Sequence, residues 1–430
     1  MAGPVFLLLL GVASAMTPGP TPEVHPKLQA YECSLYGGCV QKNLFVVLDQ
    51  LTHPISQLAA PQYSCGAGTA INSTACPTKE ACHQNCVIDG ISNYEAHGVK
   101  TGGSSIELSQ INSTGVVVSP RVYLMDETEQ GYENLQLLGK ELTFDVETSK
   151  MPCGMNGALY LSEMDFRGAQ GELNPTGAAY GSGYCDAQCY STPFINGVGN
   201  LEGKGSCCNE MDIWEANSRA TTVVPHPCNI TNLYECKGAD CEFNGVCDKW
   251  GCGFNPYAQG DKSYYGSGIS PETNRTFTVD TSRPFTVVTQ FPALNGTLSE
   301  IRRMYIQDGR VIQNSVVKNP ATNQTDLTGI DSVNDKLCGP PGVAERYMAL
   351  GATAQMGSAL QRGMVLIFSI WWDTTGFLTW LDSGKAGPCS ATEGDPKNIV
   401  NVEPNPRVTW SNVKWGEIGS TYTKINTYRT

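Results

Sequence analysis

Apolar residues in this chain fall mainly with the two-residue period of strands, in short runs closed by Gly, Pro, Asn or Asp. Leu44–Leu48, Val116–Met125, Leu142–Val146, Ala158–Glu163, Phe285–Phe291, Ile301–Gln307, Met364–Trp372 and Val408–Trp415 read as strands, most of them β-branched or aromatic. Helical patterns are few: Lys79–Ile88, which carries Cys82 and Cys86, and Ala344–Arg362, which is interrupted by glycine. Runs of strands without alternating helices predict an all-β antiparallel sandwich or barrel rather than a doubly wound sheet. A short Pro/Thr-rich stretch spans Met16–Pro26, and after it no linker, repeat or low-complexity segment appears. One large domain over residues 16–430 is therefore the expectation.

Charge and composition remove several classes of function. With 41 Asp+Glu against 28 Lys+Arg the net charge is −13, and no basic block offers a footprint for nucleic acid or an anionic membrane. Forty per cent apolar residues excludes disorder. Charged residues make up only 16%, and the 46 glycines point to many loops. Eighteen cysteines, an even number spread from Cys33 to Cys389, imply nine disulfides and an oxidising compartment. Zinc is the rival reading, through Cys82/Cys86, Cys185/Cys189 or Cys241/Cys247/Cys252, but five histidines and no paired CxxC modules speak against it. The adjacent Cys207 and Cys208 are expected to bond to different partners. Phe6–Val12 followed by Ala13-Ser14-Ala15 reads as a secretory leader removed after residue 15. No later segment approaches 18 apolar residues. Six N-x-[S/T] sequons, at Asn72, Asn112, Asn229, Asn274, Asn295 and Asn323, fit a secreted glycoprotein.

The chain lacks a G-x-S-x-G elbow, a P-loop, a G-x-G-x-x-G turn and an H-E-x-x-H helix. Chemistry concentrates instead in Ser206–Asn217, S-C-C-N-E-M-D-I-W-E-A-N. On a strand, Glu210 and Asp212 share one face while Met211 and Ile213 take the other. A solvated surface strand explains that alternation equally well. Three carboxylates within six residues of an acid-poor protein, with Trp214 among them and a cysteine pair before them, stand against that reading and keep a paired-carboxylate site open beside it. On an ideal strand Glu215 would stand about 17 Å from Glu210 and on the opposite face. A retaining glycosidase needs its two carboxyls about 5–5.5 Å apart. A β-bulge near Ile213–Trp214 is the device that would reconcile the two.

Glu210-Met-Asp-Ile-Trp-Glu215 resembles the E-x-D-x-x-E signature of glycoside hydrolase family 7, the fungal cellulases. The likeness extends through Cys153-Gly-Met-Asn156-Gly-Ala-Leu-Tyr160, Tyr184-Cys-Asp186-Ala-Gln188-Cys, Phe194-Ile-Asn-Gly, Pro225-His226-Pro-Cys, Gly363-Met-Val-Leu, Trp380-Leu-Asp and Gly416-Glu-Ile-Gly-Ser-Thr. It implies a jelly-roll β-sandwich acting on β-1,4-glucan with retention, as a monomer, with no cofactor and no metal. By the same resemblance Glu210 is the nucleophile, Glu215 the acid/base and Asp212 the residue orienting the nucleophile. His226 would lie beside the acid/base. Trp371 and Trp380 would stack on sugar rings. Tyr160, Tyr184, Asp186, Gln188, Asn156 and Arg121 would line the cleft. Pattern alone does not separate Trp371 from Trp372, since Met364–Trp372 also reads as a buried strand. Only Leu201–Gly205 separates Phe194–Asn200 from Ser206, and only Gly384–Pro388 leads to Cys389, where tunnel enzymes of the family insert long loops. Val47–His53 also lacks the tryptophans of a tunnel entrance, and no carbohydrate-binding module or linker follows. The resemblance thus points to an endo-β-1,4-glucanase with an open cleft. A cellobiohydrolase with shortened loops is the nearest alternative. A non-catalytic secreted glycan-binding sandwich or a disulfide-rich wall protein would leave the acid triad unexplained.

Overall fold

The computed structural model describes residues 17–318 and 325–423. The leader and the Asn323 sequon lie outside the described residues. Sixteen strands join one continuous sheet, twelve of them along a single path. In chain order these twelve are β1 Lys27–Ser34, β2 Gly38–Leu48, β3 Arg121–Met125, β4 Lys140–Glu147, β5 Met155–Ser162, β6 Glu210–Ala216, β7 Thr221–His226, β8 Phe285–Gln290, β9 Ile301–Gln307, β10 Arg310–Gln313, β11 Met364–Trp372 and β12 Arg407–Glu417. The spatial order is β7-β6-β5-β11-β3-β2-β1-β12-β4-β8-β9-β10. Neighbours run antiparallel except β1 and β12, which pair in parallel.

Side chains show how the sheet folds over on itself. Trp214 of β6 meets Phe144 of β4, Phe285 of β8 and Tyr305 of β9 with ring centroids 6.1, 5.8 and 6.4 Å apart. Phe368 of β11 meets Trp410 of β12 edge-on at 5.6 Å. The half running β7 to β2 therefore packs face to face on the half running β12 to β10, in the manner of a sandwich. Along β11, Met364, Leu366, Phe368 and Ile370 enter this core, while Val365 and Ile367 join Tyr123 and Tyr160 in a second cluster on the opposite face. Each fully buried residue of this kind contributes about 1.5–3 kcal/mol. That second cluster underlies the cleft, which is why β11 reads as apolar on both faces.

All 18 cysteines pair in nine disulfides, which leaves no thiolate for a metal. Cys207 and Cys208 do bond to different partners, Cys189 and Cys185, so one loop is stapled twice to the approach of β6. Cross-links closing loops of this size contribute on the order of 3 kcal/mol each.

Several boundaries differ from the sequence reading. The run from Val116 becomes a strand only at Arg121, because Ser119 takes a positive φ and Pro120 follows it. The first helix is Lys79–Asn85, and Cys86–Ile88 continues as a strand. Ala344–Arg362 splits into Glu345–Ala349 and Ala352–Arg362 at Gly351, whose φ is 97°. Among the described residues no helix is long and apolar enough to cross a membrane.

Candidate active site

The cleft floor is β6, and its register carries the site. Asp212 pairs with Val224 and Glu215 with Thr222 on β7, so three steps on one strand match two on the other. On the other flank Met211 pairs with Leu161 and Trp214 with Leu159, the same one-residue excess. This is a β-bulge at Ile213–Trp214, and both of those side chains enter the core. Beyond it the alternation resumes one place out of step, which turns Glu215 to the face of Glu210 and Asp212. A buried arginine on β9 holds the bulge: the Arg303 guanidinium donates to the Ile213 carbonyl and lies 5.6 Å from the Trp214 ring centroid.

All three acids are buried. Glu210 accepts the Ala187 N–H at 3.0 Å, a donor presented by the doubly stapled loop. Glu215 accepts Asn156 Nδ2 at 2.9 Å. His226 Nδ1 donates to the Asp248 carbonyl at 2.9 Å, and its Nε2 faces Asp212 Oδ2 at 3.0 Å. Because a carbonyl only accepts, Nδ1 is the donor of the first bond. Burial, then the charge on Asp212, pushes the Glu215 carboxyl up to about 8. Burial, then the charge on Asp186, pushes Asp212 to about 8. Burial, followed by the charges on Asp212 and Asp186, pushes Glu210 well above the ordinary range, with His226 and the Ala187 N–H opposing the rise. Glu210 and Asp212 hydrogen-bond each other and titrate as one unit.

The remaining candidates fall into three groups. Tyr160 on β5, Tyr184 and Asp186 form a chain: the two phenol oxygens are 3.1 Å apart, and Tyr184 donates to Asp186 Oδ2 at 2.9 Å. The Arg121 guanidinium lies 3.5 Å from the Tyr184 ring centroid and pairs with Asp49 at 2.8 Å. Trp371 and Trp380 lie 6.5 Å apart at a 32° tilt, forming one aromatic wall. Trp372 packs against the main core, so strand parity separates the adjacent tryptophans. Gln188 spends its amide on the Lys249 carbonyl at 2.9 Å. Asn156 departs from expectation. It is fully buried, with Nδ2 on Glu215 and Oδ1 accepting the Ala216 N–H at 3.2 Å, so it holds the acid and does not line the cleft.

Sequence reasoning missed Asp49, Tyr123 and Arg303. Tyr123 and Arg121 both bond to Asp49. Their alternation on β3 was a readable signal for facing the cleft. Arg303, on a strand of the opposite layer, gave none.

Buried acids aligned by a bulge beneath an aromatic wall, on the open face of a curled sandwich, are the equipment of a glycoside hydrolase that works with paired carboxylates. The chain belongs to glycosyl hydrolase family 7, whose model matches residues 19–422. Endoglucanase 1 of Pyricularia oryzae is 55% identical over 97% of this chain and 96% of its own length. The native structure of the Humicola insolens endocellulase EGI is 52% identical, with a TM-score of 0.90 over 94% of this chain and all of that one. A family 7 cellobiohydrolase structure from Daphnia pulex is 34% identical, with a TM-score of 0.85 over 94% of this chain and 100% of that one.

Proposed function

We propose that the chain is a secreted, retaining endo-β-1,4-glucanase, formed by one catalytic domain over residues 16–430 and acting as a monomer on cellulose and related β-glucans. The observation that carries this reading is the bulge at Ile213–Trp214, which gathers Glu210, Asp212 and Glu215 on one buried face. Greater identity to the endoglucanases than to the cellobiohydrolase supports the endo assignment.

The chemistry follows from the environments. Glu215, whose carboxyl stays protonated through neutral pH, gives its proton to the glycosidic oxygen as the C1–O bond breaks. With the proton that the pair shares held on Asp212, the Glu210 carboxylate, which also accepts the Ala187 N–H, attacks C1 from the opposite face and forms a glycosyl ester. Glu215, now ionised, takes a proton from water. The resulting hydroxide equivalent attacks C1 and breaks the C1–O bond to Glu210. Two inversions at C1 give net retention.

Glu210→Gln keeps the shape and removes the attacking charge. Turnover should fall by several orders of magnitude while oligosaccharide binding survives. With the native protein, NMR of the first-formed reducing ends should show the β-anomer. Near-normal hydrolysis by the variant would sink the nucleophile assignment, and an early α-anomer would sink retention.

A further inference from the structure

Phe243 and Trp250 stack with ring centroids 5.5 Å apart and planes 22° from parallel. Both rings nevertheless face solvent, Phe243 being 55% and Trp250 76% exposed. The indole is held firmly. The disulfides Cys228–Cys247 and Cys252–Cys338 bracket Asp248–Gly251 on both sides. Lys249 Nζ donates to the Gln188 carbonyl at 2.6 Å, and Gln188 Nε2 returns a bond to the Lys249 carbonyl at 2.9 Å.

This mount is continuous with the cleft. The Asp248 carbonyl accepts His226 Nδ1, the ring that faces Asp212. A Cβ placed on Gly251 would lie 2.8 Å from His226 Cε1, so the backbone beside Trp250 packs on that imidazole. Trp250 Cα stands one peptide away, about 3.8 Å further along the chain. Gln188 adjoins Ala187, whose N–H bonds Glu210. A short, cross-linked path thus runs from the acids to the indole.

We propose that Phe243 and Trp250 form a further sugar-binding platform at the His226 end of the cleft, taking a glucosyl unit of the β-1,4-glucan chain beyond those held at the acids; the inference rests on the glucanase reading above. An all-equatorial pyranose presents C–H bonds on its faces and hydroxyls at its rim, which suits a flat aromatic surface open to water at its edge. Phe243 covers one face of the indole and leaves the other for the sugar. A rigid aromatic loses little entropy on binding, and the two bracketing disulfides reduce that cost further.

The test uses the Glu210→Gln protein, which binds without cutting. Its affinities for cellotriose and cellohexaose are measured by titration calorimetry, then measured again with Trp250→Ala or Trp250→Phe added. Cellohexaose should bind about tenfold more weakly to the alanine variant. Cellotriose should change by less than about twofold, and phenylalanine should restore most of the loss. An equal loss for both oligosaccharides, or a loss for neither, overturns the platform. Absence of any cello-oligosaccharide binding by the Glu210→Gln parent defeats the glucanase reading, and the platform with it.

Discussion

Glu215 shows how much a single carboxyl's surroundings decide. Its ordinary value is 4.5, and burial beside Asp212 carries it to about 8. Between those values the folded protein keeps a proton that the unfolded chain has released. Stability therefore falls as pH rises through that window, by about 1.4 kcal/mol per pH unit for each such proton. Glu215→Gln has no proton to lose, so its denaturation midpoint should match the native protein near pH 4 and exceed it above pH 8. Equal midpoints at both pH values would show that burial and Asp212 do not hold the Glu215 proton in place. Activity carries the same sign: kcat/KM should decline as pH rises through about 8, where the acid loses its proton. The shared face of Glu210 and Asp212 was legible in their spacing, and that of Glu215 only if a bulge intervened, as it does. Asn156, expected to line the cleft, bonds Glu215 from β5 instead, because the strands that flank it bury it fully.

A strand with a bulge needs something to hold the bulge, and here that support comes from the opposite layer. Arg303 is buried, and burial pulls its guanidinium below the ordinary value. Its carbonyl partner at Ile213 lies where the β6 register shifts. Arg303→Met fills the space but leaves that carbonyl unpaired, at a cost of about 1–3 kcal/mol. Displacing Glu215 by as little as about 1 Å can cost about a hundredfold in rate. The methionine variant should therefore lose most of kcat while cello-oligosaccharide affinity holds, and Arg303→Lys, which retains a donor, should recover part of it. Undiminished kcat in Arg303→Met would show that the bulge holds itself. The exact matches at Ile301–Gln307 and Met364–Trp372 show that apolar strands with clear ends were readable. Thr221–His226 was overlooked because Pro225-His226-Pro interrupts its pattern, although β7 sits at a sheet edge where proline is tolerated.

For the whole molecule, the cleft's openness is the property with consequences for substrate. The hairpin Phe194–Gly199 is followed by a tight turn in which the Asn200 side-chain amide accepts the Lys204 N–H at 2.9 Å and donates to the Lys204 carbonyl at 2.8 Å. The segment after Trp380 closes at once through the Ser383–Cys389 bridge and Cys153–Cys389. Trp380 itself remains 48% exposed. A polymer chain can therefore enter anywhere along its length, and carboxymethyl-cellulose viscosity should collapse before much reducing sugar accumulates. Retained viscosity with cellobiose as nearly the only early product would favour the exo alternative. Glycan placement also belongs to this scale. Asn229, Asn274 and Asn295 are exposed. The amides of Asn72 and Asn112 instead donate to the carbonyls of Ser64 and Ala96 at 3.1 and 2.9 Å. Glycopeptide mass spectrometry should find the first three occupied and the other two bare.

Local pattern was enough for the all-β class, the disulfide count and the clustering of three acids on one strand. Strand period, cysteine parity and the clustering of like charges are each written within a few residues of sequence. Tertiary structure decided which cysteines pair, that Trp371 rather than Trp372 joins the aromatic wall, that Asn156 serves Glu215, and that Arg303 reaches across the core to Ile213. Each of these depends on residues from distant segments meeting once the sheet has folded over, and two-residue periodicity carries no information about which strand will face which.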